Sequence, residues 1–253
     1  MRIPLIFVGH GTPMNALEVN EFTEGWKEVV KDIPRPAGIL CISAHWETEV
    51  SRVTTLEKPP TIHDFGGFPS RLYEVSYPAP GSPFLAKEVQ NLTGAKPDPS
   101  RGLDHGTWSV LIHMFPEADI PVVQMSIAFD QPPQYHLDLA KKLIPLRDKG
   151  ILILGSGNIV HNLRKIDWDN PGGGYEWALR ADEILKDRIR KEDTGMLVNY
   201  QKLGPDVMWA VPTPEHFLPM IYILGAKREN EKLSFFNEKV VMGSLSMTGI
   251  RID

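Results

Sequence analysis

Short runs of unbroken apolar residues alternate along this chain with longer stretches whose apolar positions recur every three or four residues. The runs are "IPLIFV" (3–8), "GILCIS" (38–43), "PVVQMSIA" (121–128) and "GILILGS" (150–156), each the length of a buried strand. "DVMWAV" (206–211) reads as a further strand, and "KVVMGSLSMTGIRI" (239–252) as one or two closing strands. The periodic stretches predict helices over 20–33, 83–93, 106–115, 134–146 and 175–193, with "FLPMIYILGA" as a last helix after "TPEH". Strands apolar on both faces, alternating with helices, predict an α/β fold with a largely parallel sheet covered on both sides. Ligands of such sheets collect beyond the carboxyl ends of the strands. The residue after each strand is therefore the place to look for chemistry.

Composition changes this picture little. The 253 residues show no repeat and no linker-like shift in composition, so one domain over 1–253 is expected. The formal net charge is -5, and no run of Lys or Arg is long enough to suggest a nucleic-acid or membrane surface. The densest basic stretch, "KDRIRKE" (186–192), is interleaved with acids and reads as a solvated helix face. The lone cysteine, Cys41, lies inside an apolar run and reads as an inert buried thiol. No apolar run is long enough to span a membrane, and the amino terminus lacks a secretory pattern, so a cytoplasmic protein is expected. The 22 prolines and 21 glycines fall between the periodic segments and predict long ordered loops.

The strand ends carry histidines. His10 sits between Gly9 and Gly11, directly after "IPLIFV"; His45 follows "GILCIS"; His161 follows "GILILGS"; His216 follows "DVMWAV". His105 stands between Asp104 and Gly106 immediately before a helix. Five of the eight histidines thus lie at or just beyond element ends, and strands adjacent in one sheet would bring them together. Neutral imidazole is the commonest protein ligand of first-row metals, and small neighbours leave room for open coordination positions. The spacing is not that of a helical histidine pair or a zinc finger, so convergence rests on the fold. Of the other three, His113 reads as a packed helix residue and His136 as a surface or capping residue. His63, in "TIHDFGGFP", reads as either a pocket wall or a plain loop residue. The chain has no Walker loop, no full dinucleotide fingerprint and no nucleophile-elbow serine.

Six segments in order, "VGHGTPMNAL", "ISAHWET", "PTIHDFGGFP", "LDHGTWSVL", "GSGNIVHNL" and "PTPEHFLP", resemble the LigB-type (class III) extradiol ring-cleavage dioxygenases, on the 4,5-DOPA dioxygenase branch. The resemblance implies a three-layer αβα sandwich around a central mixed, largely parallel sheet. It implies Fe(II) in the working enzyme, with Zn(II) able to occupy the site of the isolated protein. It places His10, His45 and His216 as metal ligands. His161 corresponds to the acid/base histidine, close enough to count as a further ligand when zinc is bound, and His105 to a second catalytic histidine. The implied partners are a small aromatic diol and O2. From their positions, His63, Phe65, Phe68 and Trp46 are candidates for the wall around the ring. Two other readings use the same histidines: a zinc-dependent hydrolase, and a Memo-like binding protein without enzymatic activity.

Overall fold

The computed structural model describes residues 3–253. Its strands are β1 (Leu5–Gly9), β2 (Gly38–Thr48), β3 (Arg52–Thr54), β4 (Lys96–Asp98), β5 (Val122–Ala128), β6 (Ile151–Gly157), β7 (Leu233–Phe236), β8 (Val240–Val241), β9 (Leu245–Ser246) and β10 (Gly249–Ile252). Eight of them form one sheet in the order β4-β3-β5-β2-β6-β1-β10-β7, while β8 and β9 pair as a separate hairpin. The centre, β5-β2-β6-β1, is parallel, and the flanks add antiparallel pairings at β3/β5, β1/β10 and β10/β7. The parallel centre collects the carboxyl ends of β1, β2 and β6 on one edge.

Alternation along these strands divides the core into two layers. Leu5, Phe7, Leu40, Ile42, Val123, Met125 and Ile153 face one side, against the helices Pro83–Thr93, Pro133–Lys141, Glu176–Arg190 and Leu218–Gly225. Ile6, Val8, Ile39, Cys41, Val122, Leu152 and Leu154 face the other, against Glu21–Glu28 and His105–Met114. The fold is the expected three-layer α/β sandwich. Cys41 is buried, and burial raises its thiol well above the ordinary range. Among the described residues no helix is long and apolar enough to cross a membrane.

Several elements differ from the sequence reading. "DVMWAV" is not a strand; it lies in the helix Pro205–Ala210. Pro205 occupies the first helical turn with Asp206 beside it, both favourable there. Val207 and Ala210 are buried while Met208 and Trp209 are exposed, a spacing of three rather than two. Residues 239–252 hold three short strands, and only β10 joins the main sheet. The helix over 134–146 is two, Pro133–Lys141 and Ile144–Asp148. The three- and four-residue strands β3, β4 and β7 had no legible pattern.

His136 is buried rather than at the surface, its Nδ1 3.0 Å from the Tyr222 hydroxyl. Burial pushes its pKa down to about 4. The unfolded chain takes up a proton near pH 6.5 and the folded chain does not. The contribution of His136 to stability is therefore full above about pH 6.5 and falls by about 1.4 kcal/mol per pH unit toward pH 4, about 3 kcal/mol in all. His136→Asn, whose amide can still meet Tyr222, is expected to flatten this part of the pH profile in urea melts. An unchanged slope would assign the acid sensitivity elsewhere.

At the opposite edge of the sheet, Arg147 is buried. It donates to Glu231 (2.7 Å) and to the carbonyls of Ile3 (3.4 Å) and Ala226 (3.3 Å), tying three segments together far from the histidines. Loss of one partner of such a buried pair costs about 3–5 kcal/mol.

Candidate metal centre

Three strand ends and one helix–helix turn build the site. His10 leaves the end of β1, and its N–H donates to the Gly157 carbonyl at the end of β6 (3.0 Å). His45 lies near the end of β2. His161 lies four residues beyond β6, its N–H donating to Ala210 O (2.8 Å). His216 does not follow a strand: it sits on the turn between the helices Pro205–Ala210 and Leu218–Gly225. That turn crosses β6 at Gly157, where a Cβ would stand 2.1 Å from the His216 carbonyl oxygen. The absence of a side chain at Gly157 lets the turn come close enough for His216 to reach the other imidazoles.

His10, His45 and His216 each bring a ring nitrogen within 4.8 Å of the others. Nε2 of His10 and Nε2 of His45 are 3.0 Å apart, and the ring of His216 lies 5.3 Å from that of His10 and 4.9 Å from that of His45. His161 stacks on His216, rings 3.4 Å apart and 8° from parallel, and groups with His216 and the Glu215 carboxylate rather than with His10 and His45. His105 packs 3.8 Å from the His45 ring and 5.8 Å from His10. All five strand- and helix-end histidines are therefore in one nest.

The surrounding hydrogen bonds fix which nitrogens are bare. Ser156 Oγ donates to Gly106 O (2.5 Å), so it must accept from Nδ1–H of His10 (3.0 Å), leaving His10 Nε2 with a free lone pair. Nδ1 of His216 donates to the Glu215 carboxylate (3.1 Å), which also accepts from the Thr213 hydroxyl (2.9 Å). Nε2 of His216 is buried with no hydrogen-bond partner. Burial first, then the neighbouring imidazoles, holds His10 and His216 well below their ordinary pKa. Burial leads in His45 as well, followed by His105, and burial alone lowers His161 to about 4. His10 and His216 thus each turn an Nε2 lone pair inward, and His45 Nε2 stands 3.0 Å from that of His10. An orphaned buried nitrogen among two more is costly in a protein alone, and a divalent first-row ion satisfies it. The residues fit such an ion, with the tautomers of His10 and His216 set from outside by Ser156 and Glu215, as metal-binding histidines require.

Asp64 is a site residue that sequence reasoning missed, although it adjoins His63 in "TIHDFGGFP". Its Oδ1 accepts from the His105 backbone N–H (2.9 Å) and lies 3.0 Å from His105 Nδ1. Burial would raise its pKa, but the contacts with His105 hold it at about 2. Ser156 and Glu215 were likewise not assigned to the site from sequence. Phe65 stands edge-on to His105 (5.5 Å) and packs against Phe68 (5.3 Å) and Tyr73 (5.2 Å). His63 lies behind this wall, between Phe65 and Trp108, with Nε2 donating to Val75 O (3.0 Å). Trp46 is buried beneath the Arg101 guanidinium, 5.7 Å from its ring. His113 donates from Nε2 to Asn15 O (2.7 Å), away from the centre.

Inward-facing imidazoles at the carboxyl edge of a mixed sheet, with an aromatic wall alongside, are the apparatus of a metal-dependent enzyme on an αβα scaffold. The sequence matches the family described as "Catalytic LigB subunit of aromatic ring-opening dioxygenase" over residues 3–250. An Escherichia coli K12 protein named "4,5-DOPA dioxygenase extradiol" is 45% identical over 258 residues, spanning 99% of this chain and 95% of that one. A Beta vulgaris protein of the same name is 39% identical over 250 residues, spanning 95% and 92%. The crystal structure of an uncharacterized Escherichia coli K12 protein superposes with a TM-score of 0.87 at 40% identity, covering 100% of both chains. The chain belongs to the LigB family and is a ring-cleaving dioxygenase.

Proposed function

We propose that this enzyme is an Fe(II)-dependent extradiol dioxygenase that opens the ring of a catechol-type, DOPA-like substrate with incorporation of O2. The observation that supports the reading is the trio His10, His45 and His216, whose ring nitrogens lie within 4.8 Å of one another beside the Phe65 and Phe68 wall. Bound there, a ferrous ion would supply the redox chemistry that couples an aromatic diol to O2, which no side chain can provide.

The chain's own residues supply binding and proton movement. Phe65 and Phe68 give the ring an apolar surface, with His63 and Tyr73 supporting them from behind. A ring nitrogen of neutral His161 takes the proton of a catechol hydroxyl and later returns it to oxygen. Glu215, within 4.8 Å of that ring's ligand atom, stabilises the imidazolium formed in between. Asp64 holds His105 through its backbone N–H (2.9 Å) and sets a carboxylate 3.0 Å from its ring beside the substrate space.

Protein loaded anaerobically with Fe(II) is expected to consume O2 with catechols and to form a yellow ring-opened product; zinc-loaded protein is expected to consume none. Confirmed iron binding with no O2 uptake across a broad catechol panel would refute the assignment.

A further inference from the structure

We propose that Asp104 is a positioning residue of the metal centre, a buried carboxylate that fixes the peptide carrying His45 and, through the helix it caps, the ring of His10. The inference rests on the metal reading above and adds a residue that touches neither metal nor substrate.

The reason His45 needs such help lies in β2. That strand pairs with β6 only as far as Ser43, and its register with β5 shifts between Ile42 and Glu47. His45 falls inside the shift, where ladder hydrogen bonds do not define the backbone. Side chains hold its peptide instead. The His45 N–H donates to Ser43 Oγ (3.2 Å), and the His45 carbonyl accepts from Arg101 Nη2 (2.9 Å). Both groups converge on Asp104. Ser43 Oγ donates to its Oδ1 (2.7 Å), and Arg101 Nη2 lies 3.6 Å from its Oδ2.

Asp104 is 0% exposed, an expensive place for a carboxylate. Its remaining capacity is fully used. Oδ2 accepts from Gln124 Nε2 (2.7 Å), and Oδ1 accepts from the Thr107 N–H (3.1 Å), which caps the helix His105–Met114. Gln124 returns the contact by accepting from the Asp104 N–H (2.9 Å). The first turn of that helix then reaches the second ligand, since the Gly106 carbonyl receives the Ser156 hydroxyl that orients His10. A Cβ at Gly106 would lie 2.6 Å from Ser43 Oγ and 2.9 Å from His45 Cδ2, so helix and ligand are packed without slack.

The test is Co(II) binding to metal-free protein, followed by its visible absorption and by competition with a chelator. Asp104→Asn keeps the shape but sets an amide donor against Gln124 Nε2 and removes the charge facing Arg101. Its Co(II) affinity is expected to fall about 10–100-fold, with an altered absorption spectrum, as for other groups that orient metal ligands. Adding Gln124→Glu restores a donor–acceptor pair and is expected to recover most of the loss. Arg147→Met, destabilised at the far edge of the sheet, is expected to keep the parent affinity. A folded Asp104→Asn protein with parent affinity and spectrum overturns the inference, as does an equal loss in Arg147→Met. If Asp104→Asn does not fold, Ser43→Ala and Arg101→Met each cut one tether, and parent affinity in both overturns it as well. Failure of the parent itself to bind Co(II) is a different result: it removes the metal reading, and the inference with it.

Discussion

Alanine in place of His10 is expected to strip the enzyme of its metal, and with it of turnover. His10 is 1% exposed and contributes one of the three imidazole nitrogens of His10, His45 and His216 that lie within 4.8 Å of one another. Its tautomer is fixed through Ser156, which keeps the Nε2 lone pair turned to the centre. Partners that merely orient a ligand contribute about 10–100-fold to metal affinity; loss of the ligand itself is expected to exceed about 100-fold. His45→Ala and His216→Ala are expected to behave alike. Metal content after dialysis against a chelator, read beside the circular-dichroism spectrum, separates metal loss from unfolding. Retention of parent metal content in any one of the three would remove that residue from the ligand set.

His161→Ala is expected to do the opposite: metal stays and turnover goes. His161 stacks on His216 but stands outside the His10, His45 and His216 group. Removing a positioned acid/base group costs about 10²–10⁴ in rate. Single-turnover assays at confirmed metal occupancy measure this directly. The stack on His216 makes some loosening of the metal expected, though far less than in His10→Ala. Equal metal loss in the two variants would make His161 a ligand and leave the proton transfers to another group, with His105, held by Asp64, the next in reach.

The two predictions draw on different depths of information. His10, His45 and His161 could be suspected from sequence because each follows an apolar run that had to be a buried strand, and neighbouring strand ends share an edge. His216 was suspected for a wrong local reason. "DVMWAV" contains no turn residue and is too short for its period to be read, so a helix passed for a strand. The resemblance to the LigB family pointed to His216 as a ligand without saying how it arrives beside the other imidazoles. His136 misled in the other direction, because a helix start after two prolines usually lies at the surface. It is buried against a helix 86 residues away, where the Tyr222 hydroxyl meets its Nδ1.

What the sequence by itself determined is the layered α/β fold, the central strands, and the presence of histidines where those strands end. Burial of apolar runs and their periodicity are local properties, and they survive translation into structure. Only the tertiary structure decided that the imidazoles face one another, which nitrogens are bare, and which residues enforce this. Ser156 lies 146 residues from His10, and Asp104 lies 61 from Ser43. A hydrogen bond acts over about 3 Å of space and leaves no periodic trace along the chain. The donor set is therefore written in the contacts that the sheet and its covering helices create.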